Sequence, residues 1–333
     1  MDKKKVTMQD IADEVNVSKN TVSRALNDKE GVSEELKEKI KDVAWQMGYI
    51  LKEEQTKIGV LVKEKYFLES TFYAKIIEGI GNKVRGNQIE ISLIAVDHKN
   101  EKGLQLPYML EQVDFDGLIV IGKLEKKFLN LLEENDYTVV LIDYYTDDIE
   151  IDAVIMDNYR GLYLAYNHLK ELGHREIGFI GNIDYFPSFR HRYYKYRMLL
   201  IEDEIPYNEE IALLEGEKAF WNYEYLKERI KSLKTMPTAW LCVNDRTAIP
   251  LLKVLRELDY QVPDDISVIA FDNVSESNIV NPPLTTIHVD KKKLGERGIE
   301  KLLWRLDNPE EPVEELFVNT RLIVRESTAR LEE

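Results

Sequence analysis

From residue 58 onward the chain alternates apolar runs of strand length with amphipathic stretches of helical period, and few folds accommodate that alternation. The apolar runs are residues 58–62, 89–96, 117–121, 139–142 and 154–156, then 177–180, 240–243 and 267–271. Between them, stretches such as 74–85, 161–172, 190–202 and 247–258 read as amphipathic helices. A strand that is apolar on both faces must be covered on both, so the pattern predicts parallel sheets flanked by helices. One sheet of eight or more strands satisfies it, but two sheets are more usual in a chain of 333 residues.

In open sheets of this kind ligands bind beyond the carboxyl ends of the strands. Asn182 and Asp184 follow IGFIG, Asn244 and Asp245 follow AWLCV, and Asp272 and Asn273 follow SVIAF. Carboxylates and amides, joined by an arginine fork, suit a polyhydroxylated sugar, because each hydroxyl both donates and accepts. For Asn244 and Asp272 the competing role is a strand-end cap or a salt bridge.

The first 50 residues have a different texture. Met8, Ile11, Ala12 and Val15 recur at helical spacing, and Thr7 with Asp10 forms a start signal in which the hydroxyl satisfies an orphan amide. Asn16, tolerant of left-handed geometry, falls at the break. Ser18 can cap a second helix whose buried face is Val22, Ala25 and Leu26. Ser33 can cap a third, with Glu34 and Glu35 in its first turn and Leu36, Ile40, Val43, Ala44 and Met47 as its stripe. Three such helices make a minimal helix-turn-helix module, although periodicity alone fits any small helical bundle equally well.

VTMQDIADEVNVSKNTVSRALN followed by VSEELKEKIKDVAWQMGY resembles the headpiece of the lactose/galactose repressor (LacI/GalR) family. HLKELGHREIGFIG, CVNDRTAIPLLKVLRELDYQVPDDISVIAFDN, NPPLTTIHVD and VRESTA extend that resemblance, in the family's order, over nearly the whole chain. It implies an α/β protein with an all-α helix-turn-helix headpiece at 1–49, a short linker at 50–57, and an effector-binding and dimerisation core at 58–333. The core would be two-lobed, like periplasmic sugar-binding proteins, and crossed three times by the chain. Residues 58–159 with 287–316 would form one lobe, and 160–286 with 317–333 the other.

The resemblance also implies a site. Arg192 lies where the family places the arginine that grips the effector, Asn244 and Asp272 fall on effector positions, and Phe72 and Tyr73 occupy a place where aromatics are often presented. Tyr66 and Phe67 precede them in a slightly longer loop. Lys218, with Phe220 and Trp221 close by, stands where many relatives carry an aromatic, and Arg160 where some carry an acid. A cationic Lys218 favours a phosphorylated or acidic ligand. The linker departs further: only ILKEEQTK separates Tyr49 from Ile58, without the Pro-Asn start or the hinge pattern of many relatives. A minor-groove wedge is therefore expected to be missing or much reduced, leaving recognition to the major groove and coupling to headpiece spacing.

For base reading, Lys19 and Asn20 open the second helix, where lysine favours guanine acceptors and asparagine favours adenine. Arg24 can reach a guanine or a phosphate, while Thr7, Ser18, Thr21, Ser23 and Asn27 suit phosphate anchoring. The net charge of −16 is unusual for a DNA binder. Residues 1–50, however, hold nine Lys/Arg against ten Asp/Glu, so nearly all the acidity lies elsewhere. Lys3, Lys4, Lys5, Lys19, Arg24 and Lys29 gather around the second helix, enough for a dimer on DNA and marginal for a monomer. Association should depend strongly on salt.

A hydrophobic content of 44% excludes a disordered chain. The basic start lacks the apolar core of a secretory signal, and no apolar run reaches the roughly 18 residues of a membrane span. The single cysteine, Cys242, sits in an apolar strand pattern and fits a reducing, cytoplasmic setting. Five histidines without metal-ligand spacing, and no nucleophile elbow or phosphate loop, give no ground for a metal, a cofactor or catalysis. The segment 79–86, rich in glycine, lies inside a helical pattern. A DNA-binding repressor thus outranks a plain sugar-binding protein and an α/β enzyme. Its expected partners are a small sugar or sugar derivative, a second copy of itself and a near-palindromic duplex operator. Sugar-induced release is favoured over a corepressor such as a purine, a sugar phosphate or a phosphorylated carrier protein. RESTARLEE carries no leucine heptad, which favours a dimer over a tetramer.

Overall fold

The computed structural model describes residues 6–26, 32–47, 49, 55–69, 71–86, 88–146, 148–214 and 222–332. They fall into two compact units, the first ending at Gln55 and the second starting at Thr56.

The first unit holds α1 (Met8–Val15), α2 (Lys19–Leu26) and α3 (Glu34–Gln46). Local chemistry sets their ends. Thr7 and Asp10 form a reciprocal capping box, with the Thr7 amide donating to Asp10 Oδ2 at 2.7 Å and the Asp10 amide to Thr7 Oγ1 at 3.3 Å. Asn16 closes α1 in the left-handed region at φ 58°. Ser18 Oγ accepts the Thr21 amide at 3.0 Å, and Ser33 Oγ that of Leu36 at 3.4 Å. Ile11, Ala12, Val22, Ala25, Leu26, Ile40 and Ala44 form the small core. A core this size is marginal, so caps worth about 1 kcal/mol each carry weight.

The second unit begins with β1 (Thr56–Lys63), α4 (Glu64–Glu69), α5 (Thr71–Val84), β2 (Ile89–Val96), α6 (His98–Gly103), α7 (Tyr108–Gln112), β3 (Gly117–Ile121), α8 (Lys126–Glu134), β4 (Val139–Ile142) and β5 (Asp152–Met156). It continues with α9 (Asn158–Glu171), β6 (Ile177–Ile180), α10 (Pro187–Glu202), β7 (Ala212–Leu213), α11 (Tyr223–Lys231), β8 (Ala239–Cys242), α12 (Asp245–Glu257), β9 (Ser267–Asp272) and β10 (Thr285–His288). α13 (Lys291–Asp307), β11 (Glu315–Val318) and β12 (Arg321–Ile323) complete it. Two six-stranded sheets result, ordered β11-β5-β4-β3-β1-β2 and β12-β10-β9-β8-β6-β7. Every pairing is parallel except β10 with β12.

The chain crosses between the lobes three times, and two crossings come later than expected. Ile287 lies in β10, paired with Phe271 of the second sheet, so the chain leaves that lobe only before α13. Phe317 lies in β11, paired with Ile155 of the first sheet, and the return falls between Val318 and Arg321. Strand β1 also starts two residues early, at Thr56, so residues 56 and 57 of the expected linker belong to the sheet. Linker residues 50–54 lie outside the described residues. The segment around Tyr66, expected as a loop, is helix α4.

Helix α13 returns to the first lobe and packs against α5 through two glycines. A Cβ on Gly295 would stand 2.0 Å from the Ile76 carbonyl oxygen, and one on Gly79 2.1 Å from that of Lys292. The end of α13 is tied down by charge. Asp152, buried in β5, accepts from Arg305 Nε at 2.6 Å and lies 3.3 Å from Lys301 Nζ. Arg305 also donates to the carbonyls of Asn308 at 3.1 Å and Pro312 at 2.8 Å, which fastens the acidic 308–314 loop.

Candidate functional site

On the headpiece, Lys19 and Arg24 stand exposed on α2, and Ser23 is half-buried. The hydroxyls of Ser18 and Thr21 share a hydrogen bond of 2.8 Å at the helix start. Thr7 is exposed at the start of α1, its hydroxyl engaged with Asp10 Oδ2 at 2.6 Å. The backbone of Asn20 belongs to α2, while its side chain, together with Asn27, Lys3, Lys4, Lys5 and Lys29, lies outside the described residues. Short helices presenting polar and cationic residues at the start of the second are a geometry that fits a DNA groove.

In the core, a cleft of about 760 Å³ opens between the lobes, within the size range of small-ligand sites. Phe72, Tyr73, Arg192, Asn244 and Asp272 all border it. Arg192 is 1% exposed. Its Nε donates to Asn158 Oδ1 at 2.9 Å, its Nη1 to the Val243 carbonyl at 2.7 Å and its Nη2 to Met156 Sδ at 3.1 Å. The guanidinium stacks 3.6 Å from the centre of the Phe271 ring, and its Nη2 lies 3.6 Å from Asp272 Oδ1. Strand ends β5, β8 and β9 therefore all hold one side chain. Asn244 caps α12 by accepting from the Thr247 amide at 3.0 Å, which turns its own NH2 group toward other partners.

A second carboxylate that sequence reasoning passed over completes the floor. Asp143 follows β4 in the first lobe, accepts from the Tyr73 hydroxyl at 3.4 Å, and borders the same cleft. The rule that singled out Asp272, a carboxylate just past a strand end, applies to it equally. Asp143 and Asp272 both sit at positive φ, 62° and 103°, a strained backbone that concentrates at functional sites. Burial pushes Asp143 up to about 8, the charge of Asp272 adds to this, and Arg192 and the Tyr73 hydroxyl oppose it. Burial likewise lifts Asp272 above the usual carboxylate range against the pull of Arg192 and Lys291. Asp245, by contrast, is spent inside the lobe, accepting from Thr286 Oγ1 at 2.5 Å and the Val274 amide at 2.8 Å.

The walls are aromatic and come from both lobes. Tyr66 stacks on Tyr73 with ring centres 4.9 Å apart and meets Phe186 at 5.8 Å; Phe186 packs edge-on against Phe189 at 5.6 Å. Gly122, at φ 76°, leaves room for these rings, since a Cβ there would lie 3.1 Å from both Tyr66 and Tyr73. Tyr185, Phe186 and Phe189 were not anticipated, although they follow β6 within IDYFPSF. Asn182 and Asp184 border an adjoining cavity instead of this cleft. Arg160 is exposed in the first turn of α9 and is not part of the lining. Lys218, Phe220 and Trp221 lie outside the described residues. Among the described residues no group of side chains could hold a metal ion, and no helix is long and apolar enough to cross a membrane. Cys242 is buried in β8.

A helical headpiece followed in sequence by a two-lobed core with an interlobe cleft defines the class of ligand-responsive DNA-binding regulators. Residues 7–51 match the model for bacterial regulatory proteins of the lacI family. Residues 55–191 match that for periplasmic binding proteins and the sugar binding domain of the LacI family, and 166–328 that for a periplasmic binding protein-like domain. The repressor PurR of Pectobacterium atrosepticum is 31% identical over 336 residues, covering 97% of each chain. The probable repressor ExuR of Bacillus subtilis is 29% identical over 337 residues, covering 98% of this chain and 99% of its own. A LacI family transcriptional regulator from Enterococcus faecium with bound ribose has a TM-score of 0.69 at 26% identity, covering 83% of this chain and 100% of that one. The Lac repressor dimer bound to operator and an anti-inducer shares the fold, with a TM-score of 0.72 at 24% identity, covering 98% of this chain and 100% of that one. The chain belongs to the LacI family of bacterial regulatory proteins and is a DNA-binding transcriptional regulator.

Proposed function

We propose that this regulator is a homodimeric repressor that grips a near-palindromic operator and is released when its core cleft takes up a small polyhydroxylated effector. The observation that carries the effector half is the floor of the cleft. Arg192, Asn244, Asp143 and Asp272 bring donors and acceptors together there from both lobes, beneath aromatic walls. Alternating donors and acceptors are what neighbouring hydroxyls of a sugar require, and the apolar faces of its ring stack on aromatic rings. The ribose bound to the Enterococcus relative agrees with this chemistry. A ligand that touches Asp143 in one lobe and Asp272 in the other draws the lobes together, which gives binding a mechanical consequence.

For the DNA half, Lys19 and Asn20 enter the major groove first and read base edges. Arg24 reaches a base or phosphate, and Thr7, Ser18, Thr21, Ser23 and Asn27 anchor the backbone. The 50–57 segment is too short for a helix–coil switch plus a wedge, so spacing between the two headpieces carries the signal. A thermal-shift screen of the full chain against pentoses, hexoses, disaccharides and nucleobases tests the effector class. The reading predicts a selective rise in Tm with one sugar family; a response confined to a purine base would refute it.

A further inference from the structure

We propose that the effector cleft continues past Tyr66 and Tyr185 into an anion-binding subsite, in which Lys65 and Lys123 take the carboxylate or phosphate of an acidic sugar derivative. This rests on the reading of the cleft as a polyol site. The two tyrosines line both the cleft and a second cavity of about 480 Å³, so the two spaces adjoin at those rings.

The charges around that second cavity are unequally satisfied. Glu101 is paired with Lys63 at 2.5 Å and also accepts the Glu125 amide at 2.8 Å. Glu125 is paired with Lys102 at 3.0 Å, and Asp184 with Arg190 at 3.5 Å. Each carboxylate of the lining therefore has its own cation. Among the described residues neither Lys65 nor Lys123 forms an ion pair with a carboxylate within 4 Å, although Lys123 is near enough to Glu125 to add to the pull of Lys102 and Lys63 on that carboxyl. Lys65 Nζ donates to the Tyr185 hydroxyl at 3.4 Å and lies 5.2 Å from the centres of the Tyr66 and Tyr185 rings. Lys123 Nζ donates to the Tyr185 carbonyl, also at 3.4 Å. These are neutral partners at the long limit of a hydrogen bond, and an ammonium offers three donors, so both retain capacity for an anion.

Position supports the same assignment. Lys65 on α4 and Lys123 just after β3 belong to the first lobe, and both reach the same residue of the second. Both are half-buried, which reduces solvent screening of their charge. An anion held between them would sit across the mouth of the cleft while the sugar ring occupied the floor. On the floor Arg192 already faces Asp272 at 3.6 Å, so an anion gains less there than between the two lysines, and the two ends of the ligand are told apart.

The test is calorimetric titration of the full chain with D-glucose and D-galactose, their uronates, their 6-phosphates, and inorganic phosphate alone. The proposal predicts that a uronate or a 6-phosphate binds at least about tenfold tighter than its neutral parent, and that added salt erases the gain. Whichever of the two gains tells carboxylate from phosphate. Lys65→Gln with Lys123→Gln should remove that gain and leave the neutral sugar unchanged, whereas arginine at both positions should preserve it. Neutral and acidic sugars binding equally would overturn the proposal while leaving the polyol reading intact, as would a glutamine variant that weakens both alike. Inorganic phosphate binding as tightly as the 6-phosphate would also overturn it. Failure of every sugar, neutral or acidic, to bind would sink the polyol reading and this proposal together.

Discussion

Replacing Asp143 with asparagine should stabilise the protein at alkaline pH and do little in acid. The carboxyl is 9% exposed, and burial and Asp272 together lift it from the ordinary 3.8 to about 8. An acid whose folded value lies above its unfolded one takes up protons on folding. The stability linked to it is therefore complete below about 3.8 and is lost as pH climbs through about 8. Each pH step in that window is worth about 1.4 kcal/mol, so by pH 8 the wild type has forfeited on the order of 5 kcal/mol at this position. The asparagine side chain cannot ionise and still offers an oxygen to the Tyr73 hydroxyl. For a unit of this size 1 kcal/mol moves Tm by about 2–4 °C, which predicts a variant on the order of 10 °C more stable at pH 8 and matching the wild type near pH 4. Thermal unfolding of both proteins across that range measures it. A Tm difference that stays flat with pH would refute the reasoning. Asp272→Asn should in turn shift the window to lower pH, since the charge of Asp272 is the second cause of the rise.

Arg192→Met removes the group that the ends of β5, β8 and β9 converge upon. Sugar binding should weaken by at least about 2 kcal/mol in calorimetry, while affinity for DNA in the absence of sugar stays unchanged. Lys19→Ala should cost about 1–3 kcal/mol on the preferred operator and relax selectivity at one base pair, whereas Arg24→Ala, if it serves a phosphate, should weaken all duplexes alike and flatten the salt dependence by about one charge. Gly295→Ala drives a methyl against the backbone of α5 and should lower Tm through a loss of at least about 1–3 kcal/mol. An alanine variant as stable as wild type would show that α5 and α13 can separate freely.

The sheets were legible because their central strands are buried on both faces: 117–121, 139–142 and 177–180 stand out as apolar runs, and the edge strand 89–96 is still largely apolar although one side of it is exposed. What escaped were elements whose existence depends on distant partners. β7 pairs through two residues of IALL and β11 offers only LFV, its burial alternating half-buried with exposed, so each run is too short to announce a strand; both are strands because β6 and β5 lie beside them. The lobe crossings were misplaced for the same reason. Nothing in TTIHVD says that Ile287 pairs with Phe271, and Phe317 reads like any exposed phenylalanine until Ile155 is placed next to it. Asn244 and Asp272 were expected at the cleft they border because the resemblance and the strand-end rule pointed to the same positions, and Arg192 because of the resemblance alone. Asp143 was missed because LIDYYTDD reads as a turn, and Tyr185, Phe186 and Phe189 because an aromatic-rich loop and helix start look like core until the opposite lobe is seen facing them.

The measurement closest to the centre of this account is the affinity of the full chain for its preferred duplex, selected from a random pool, measured by fluorescence anisotropy with and without the sugar that raises its Tm. A symmetric two-half-site sequence whose Kd rises at least about tenfold with saturating sugar in the wild type, and does not move in Arg192→Met, is the predicted result. A Kd indifferent to the sugar, although the sugar is bound, would contradict the claim that the cleft governs the grip on DNA.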